Sequence, residues 1–195
     1  DQVELNPDTV EDVTVRTTIN PTTTLETRLV EGAAVHLDLT GFAGNQVTLN
    51  WAKEAGCNAA SILFSIYYEQ AGVTKVIHEA FGPVNNGDPA CFDDEFDKAV
   101  VAGANNYTWQ KTVPIPDAAD IEPLFARVRA VYGNTSLQIT GTGLPTQGYV
   151  IRSQADTDIG EETRSIQVGR SLSTAPSIMD YSVYSGAGIV QSPAP

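Results

Sequence analysis

The chain has few of the residues on which catalytic and metal sites depend. Its 195 residues include two cysteines, two histidines and one methionine. There is no CxxC pair and no GxSxG nucleophile motif, since the nearest approach, Gly169 to Ser173, lacks the closing glycine. Zinc sites need clustered cysteine and histidine, which are missing here. We therefore expect a protein that is not an enzyme and has no cofactor, apart from the calcium hypothesis below.

Basic residues are scarce as well. Lysine and arginine together number 11 against 24 aspartates and glutamates, so the formal net charge is −13. A field of that sign repels the phosphates of nucleic acids and the surfaces of anionic membranes. The balance excludes nucleic acid as an expected partner and is typical of a protein that stays soluble in a salty or extracellular setting. Cation binding is the alternative explanation.

Long apolar runs are also missing. The longest, such as Ile62 to Tyr68, is far shorter than a transmembrane helix. The first residues, Asp1 to Glu4, do not resemble a signal peptide. If the protein is exported, we expect its export or anchoring element to be absent from this sequence.

What the sequence does contain is strand-like alternation of apolar and polar residues, the pattern of a strand with one face on a core. Turn-forming residues separate the alternating segments at intervals near ten residues, which favours an all-β, mainly antiparallel β-sandwich. One short helix is expected from Asp93 to Ala102, because its start is acidic and Gly103 follows it. The predicted strands lie at Leu25–Leu29, Val35–Leu39, Val47–Trp51, Ser61–Glu69, Val73–Ala80, Tyr107–Val113, Phe125–Val131, Ser136–Thr140, Gly148–Gln154 and Thr163–Arg170.

The pattern divides the chain into three parts. Residues 1–24 are polar and threonine-rich and are expected to form a leader or an edge strand. Residues 25–175 are expected to form the sandwich domain. Residues 176–195 are expected to form a C-terminal tail that packs on the domain, since a simple linker would not hold its clustered apolar side chains. These are Ile178, Met179, Tyr181, Val183 and Tyr184.

The two cysteines, Cys57 and Cys91, lie in polar, turn-rich surroundings beside apolar runs. Two free thiols would be unremarkable in a cytosolic protein, but loop-edge cysteines in an acidic, strand-rich chain favour a disulfide. The bond would tie the start of the strand at Ser61 to the long loop from Phe81 to Asp94. The bond would close a loop of about 35 residues between the two cysteines, which contributes about 3–4 kcal/mol on the chain-entropy model.

Calcium needs clustered oxygen ligands, and two acidic segments of the sequence offer them. The segment from Asp93 to Asp97 fails as an EF-hand loop, since Lys98 stands where the loop needs glycine. The better candidate contains Asp156, Asp158 and Glu161 around Gly160. The alternative is that this second segment is the solvated tip of a hairpin.

Several aromatic residues could serve a carbohydrate-binding module if they were exposed. They are Trp51, Tyr107, Trp109 and Tyr149. Each lies in a predicted strand, so the alternative is that they belong to the core. His36 and His78 also lie in predicted strands, and we expect both to face solvent.

The C-terminal third resembles bacterial type IV pilin-like, pilus-assembly-type proteins. The resemblance rests on Leu144–Ser153, Thr163–Ser171, Pro176 and Asp180–Gly186, with a weaker likeness at Leu29–Leu39 and around Trp51. It implies an exposed domain whose N-terminal membrane helix is missing, and it implies no catalytic residues. Other pilin-like subunits or a surface ligand are the implied partners. The implied location is extracellular, on the cell surface or the periplasmic face of the envelope.

The sequence thus predicts a non-enzymatic structural or adhesive domain, a pilin-like component of a bacterial surface appendage. The alternative is a secreted β-sandwich module that binds a carbohydrate or another ligand.

Overall fold

The computed structural model describes residues 3–10, 13–53, 59–84, 94–101, 106–157 and 163–171. Within these ranges the chain forms fourteen strands and no helix. The strands form two five-stranded sheets and one four-stranded sheet. The predicted all-β class is therefore confirmed.

We call the first five-stranded sheet the front sheet, the second the back sheet, and the four-stranded sheet the terminal sheet. In spatial order, the front sheet holds β3 (Leu25–Leu29), β12 (Thr135–Thr140), β5 (Gln46–Trp51), β10 (Trp109–Pro114) and β9 (Val100–Val101). The back sheet holds β4 (Ala34–Asp38), β11 (Ile121–Val131), β6 (Ser61–Gln70), β7 (Val73–Gly82) and β8 (Asp97–Lys98). The terminal sheet holds β1 (Val3–Val10), β2 (Val13–Thr22), β13 (Gly148–Thr157) and β14 (Thr163–Ser171). Among these strands the pairing is antiparallel except between β7 and β8.

The front and back sheets enclose one hydrophobic core. Leu49 and Trp51 of the front sheet and Phe64 and Ile66 of the back sheet are fully buried and belong to the same cluster. Alternate residues of each strand supply this cluster, as the period-two pattern predicts. Burial of each large side chain contributes roughly 1.5–3 kcal/mol, so the core is the main source of stability.

The turn-forming pair Ala71-Gly72, between two predicted strands, predicts a hairpin, and the pairing of β6 with β7 confirms it. Gln70 pairs with Val73 across a two-residue turn that joins β6 to β7. Both turn residues have positive φ, 53° at Ala71 and 75° at Gly72. Turns of this kind match the right-handed twist of the flanking strands, although Ala71 adopts a conformation that glycine or asparagine would adopt at lower cost.

The helix predicted from Asp93 to Ala102 is wrong. Residues 94–101 contain β8, which pairs in parallel with the end of β7, and β9, which pairs with β10. Glu95 has a φ of 59°, a left-handed conformation that stops a helix. The Asp94 carboxylate accepts a hydrogen bond from the Phe96 N–H, 3.1 Å away. The acidic start of this segment therefore forms a turn that leads into strands, because strand pairing outweighs a weak local helix preference.

The terminal sheet lies outside the core. Its inner strands β2 and β13 pair with each other in register, and β1 and β14 form its two edges. None of its described residues belongs to the core cluster. Residues 1–24, which we expected to form a leader or an edge strand, contain the edge strand β1 and the inner strand β2. The other two strands of this sheet, β13 and β14, come from the end of the expected sandwich domain.

Candidate functional site

Most of the site residues predicted from the sequence lie outside the described residues. Cys57 and Cys91 are among them, so the disulfide between them stays a prediction. Asp158 and Glu161, two of the three residues of the calcium hypothesis, also lie outside the described residues. The tail from 176 to 195 also lies outside them. Asp156 is described near the end of β13, where both of its carboxylate oxygens accept hydrogen bonds from Gln154 Nε2, at 3.1 and 3.2 Å.

The acidic segment around Asp156 joins two paired strands. Asp156 pairs with Thr163 on the neighbouring strand β14. Asp158 and Glu161 lie outside the described residues, so the calcium hypothesis and its hairpin-tip alternative both stay predictions. Among the described residues there is no group of three or more histidine, cysteine, aspartate and glutamate side chains that could hold a metal ion. In the same part of the chain there is no helix long and apolar enough to cross a membrane.

Three of the four candidate aromatic residues belong to the interior. Trp51, Tyr107 and Trp109 are at most 4% exposed. Trp51 Nε1 donates to the Ala60 carbonyl at 2.8 Å, which satisfies its polar atom inside the core. Tyr149 alone is exposed, at 42%, on the terminal sheet. These four residues therefore do not form a row of exposed rings.

A different aromatic row lies on the outer face of the back sheet. Phe125 of β11 stacks on His36 of β4 and on Tyr67 of β6, with ring centroids 4.7 and 4.6 Å apart. His36, expected to face solvent, is half-buried under this stacking. Burial lowers the pKa of His36; Asp38 opposes this shift and Arg127 adds to it.

Beside this row, a cleft of about 180 Å³ opens on the outer face of the back sheet. We call it the Arg127 cleft. It is lined by Leu63, Ser65, Tyr67, His78, Arg127 and Arg129. The register places Arg127 opposite Ser65 and Ser65 opposite His78, so residues from three strands meet there. Ser65 Oγ and His78 Nδ1 are hydrogen-bonded at 2.8 Å.

The terminal sheet has one apolar face, which we call the strip. Cross-strand pairing places Ile19, Ile151 and Val168 in one row of this face, and Ile166 lies two residues from Val168 along β14. Ile166 and Val168 are 67% and 51% exposed. No described residue of the front or back sheet core packs on the strip. The strip is therefore an apolar surface that the described part of the chain leaves uncovered.

The opposite face of the terminal sheet is polar. Arg152 donates to Gln167 Oε1 at 3.0 Å on that face, and Ser165 pairs with Gln154 beside them. The sheet is therefore amphipathic. Sheets of this kind usually have their apolar face against another layer of the same protein or of a partner.

A buried glutamine joins the terminal sheet to the back sheet. Gln147, 2% exposed, accepts a hydrogen bond from the Asp38 N–H and donates one to the Asp38 carbonyl, each 2.9 Å long. Its own backbone N–H donates to the Thr22 carbonyl at 2.7 Å. The side chain thus pairs with the end of β4 as a neighbouring strand would, and this fixes the start of β13.

Sequence reasoning missed the Arg127 cleft, the strip and Gln147. The alternation in β14 was visible, and so was the placement of Ile166 and Val168 on one face. The residues that pair with them across the sheet could not be identified from the sequence. They come from segments more than 100 residues apart, as Ile19 and Ile151 do.

No protein-family model matches the chain, and a search of curated proteins gives no match.

Proposed function

We propose that the chain is a non-enzymatic structural domain of a bacterial surface appendage, a pilin-like subunit, which assembles through its terminal sheet outside the cell. The observation that carries the proposal is the strip, an apolar face of a regular sheet that lies outside the domain's own core. The partner that we assign to it is a second copy of this chain.

The terminal sheet offers two means of association. The strip exposes Ile166 and Val168, whose burial would contribute roughly 1.5–3 kcal/mol each. The same strand, β14, is an edge of its sheet along nine residues and pairs on one side with β13. A long edge strand with exposed apolar side chains is a site where another chain adds on, unless something blocks it.

Charge favours a head-to-tail arrangement of copies. Arg164 and Arg170 flank the strip on its own face. Together with Arg16 and Arg152, they make up four of the chain's seven arginines, and all four lie in the terminal sheet. The whole chain has a net charge of −13. Two strips packed face to face would bring like charges together, whereas a strip packed on the acidic sandwich of the next copy pairs opposite charges. Head-to-tail contacts that do not close build open filaments.

The resemblance to pilin-like proteins supports the same assignment. Its best-matched segments, Leu144–Ser153 and Thr163–Ser171, include most of β13 and all of β14. Three of the four residues that define the strip, Ile151, Ile166 and Val168, lie in these segments.

The test is a pair of double variants in the full chain. Ile166→Asp with Val168→Asp puts two charges on the strip. Ser165→Asp with Gln167→Asp puts two charges on the opposite face of the same strand and serves as the matched control. Light scattering as a function of protein concentration reports association, and thermal melting reports folding.

We expect the wild type and the control to associate as concentration rises and the strip variant to stay monomeric with an unchanged melting temperature. Equal association of all three proteins would contradict the proposal. So would a wild type that stays monomeric while the strip variant loses stability, because the strip would then be covered within its own chain, for example by the tail.

A ligand-binding module is the second candidate function. The Arg127 cleft favours it, because concave sites with a few convergent polar groups are where small molecules bind. The two functions do not exclude each other, since an appendage subunit can also bind a ligand.

A further inference from the structure

We infer that the strip of one copy packs on residues 97–101 of the next copy, a segment that we call the β8–β9 edge. This inference rests on the proposed function, because it names the surface that receives the strip. Asp97 and Lys98 pair in parallel with the end of β7 in the back sheet. Val100 and Val101 pair with β10 in the front sheet. One short segment therefore runs from one sheet to the other along a side of the core.

The β8–β9 edge exposes apolar side chains. Val100 and Val101 are 60% and 68% exposed, whereas Ala99 before them is buried and belongs to the core cluster. The exposed ring of Tyr132 packs against Phe96, the residue before the edge, with ring centroids 6.1 Å apart. Adjacent exposed apolar side chains of this kind are typical of a surface that binds another protein.

Charge indicates which protein this surface binds. A groove of about 510 Å³ lies between β7 and β8 on one side and β10 on the other. Its described lining holds three carboxylates and one ammonium group, those of Glu79, Glu95, Asp97 and Lys111. Lys111 Nζ lies 3.4 Å from Asp97 Oδ2, and Lys98 at the same edge is paired with Asp94. The charges of these six side chains sum to a negative value, so the edge favours a partner that is apolar and basic.

The strip has this combination of apolar and basic residues. Val168 and Arg170 are two residues apart on one face of β14, about 7 Å along the strand. On the β8–β9 edge, Val100 is three residues from Asp97, at most about 11 Å away. Apolar side chains can therefore pack together while a guanidinium group reaches the groove, where it can bind a carboxylate through two parallel hydrogen bonds. Each copy carries both surfaces, so the contact repeats from copy to copy.

The test uses two variants of the full chain, each of which keeps one of the two surfaces. The strip variant, Ile166→Asp with Val168→Asp, keeps the β8–β9 edge. The edge variant, Val100→Asp with Val101→Asp, keeps the strip. We expect each variant alone to sediment as a monomer. An equimolar mixture should form a 1:1 dimer that does not grow, because only the edge of the first variant and the strip of the second remain to bind each other.

A third variant controls for the added charges. Val73→Asp with Val76→Asp puts the same charges on two exposed valines of β7 and should associate like the wild type. Thermal melting reports whether each variant is folded. A milder edge variant, Val100→Thr with Val101→Thr, keeps the shape of both side chains. It should weaken association about tenfold, the effect of removing two buried methyl groups from the contact.

The outcomes separate this inference from the proposed function. A mixture that stays monomeric while the wild type and the control associate would overturn the inference and leave the assembly proposal standing, because the strip would then pack on another surface. A folded edge variant that associates like the wild type would have the same meaning. A wild type that stays monomeric would overturn both.

Discussion

The side chain of Gln147 pairs with the backbone of Asp38 through two hydrogen bonds of 2.9 Å, one accepted and one donated. Asp38, the last residue of β4, thus has a hydrogen-bond partner on the side away from β11, where the described residues provide no paired strand. The contact joins the back sheet to the first residue before β13. This buried amide therefore helps to fix the position of the terminal sheet relative to the domain.

The first prediction concerns this amide. Gln147→Ala should destabilise the protein by about 2–3 kcal/mol, because it leaves backbone groups at a buried junction without partners. Urea denaturation measures the change. Gln154→Ala, which removes an exposed glutamine from β13, should cost less than about 0.5 kcal/mol.

An isosteric variant makes the Gln147 test sharper. Gln147→Glu keeps the acceptor for the Asp38 N–H but replaces the donor that faces two carbonyl oxygens, those of Asp38 and Pro145. We expect it to be at least as destabilising as Gln147→Ala at neutral pH. A variant as stable as the wild type would show that the side-chain orientation is not as described.

The second prediction is a pH dependence that comes from Asp94. Burial by itself raises the pKa of Asp94, but hydrogen bonds from Ser61, Lys98 and the Phe96 N–H outweigh it and hold the pKa below its ordinary value. A carboxyl group whose pKa is lower in the folded state stabilises the protein above its ordinary pKa of about 4, and that stabilisation is lost as the pH falls further.

The wild type should therefore lose stability below about pH 4, and Asp94→Asn should lose less over the same range. Urea midpoints at pH 7 and pH 3 for the two proteins measure the difference. The variant should be the less stable protein at pH 7. A constant gap between the two proteins at both pH values would contradict the assigned hydrogen bonds.

The third prediction concerns the glycine beneath this carboxylate. A Cβ added at Gly82 would overlap the Asp94 carboxylate oxygens. Gly82→Ala should therefore cost about 1–3 kcal/mol, the usual effect of overpacking. Gly169→Ala is the control, since nothing lies within 4 Å of its added Cβ. Equal stability of the two variants would mean that Asp94 does not pack on β7.

The fourth prediction concerns the hairpin at Ala71. Because its φ is 53°, a residue that tolerates the left-handed region should improve the turn. Ala71→Asn creates the preferred asparagine-glycine pair and should raise the free energy of unfolding by about 0.5–1 kcal/mol. Thermal melting measures it. A lower melting temperature would argue against this turn type.

The sequence predicted most of the strands because their alternation is local. Val35, Leu37 and Leu39 alternate with polar residues, and all three are buried. The turn at Ala71-Gly72 was visible for the same reason. In each case neighbouring residues carry the whole signal.

Long-range pairing was not visible. The segment after Asp93 has the acidic start of a helix, but Asp94 contacts Ser61 and Lys98 and the segment pairs with β7 and β10. His36 was correctly placed opposite the core residues of its strand, yet its stacking on Phe125 depends on a register between segments about 90 residues apart. The Arg127 cleft was missed for the same reason.

Sedimentation velocity of the full chain across a range of concentrations is the most direct measurement of the assembly proposal. Head-to-tail packing of the strip on an acidic neighbour predicts a continuous series of species that grows with concentration and shrinks as salt is added, because salt screens the attraction of Arg164 and Arg170 for the next copy. A single dimer species, or a monomer at every concentration up to about 1 mM and at low salt, would contradict the account.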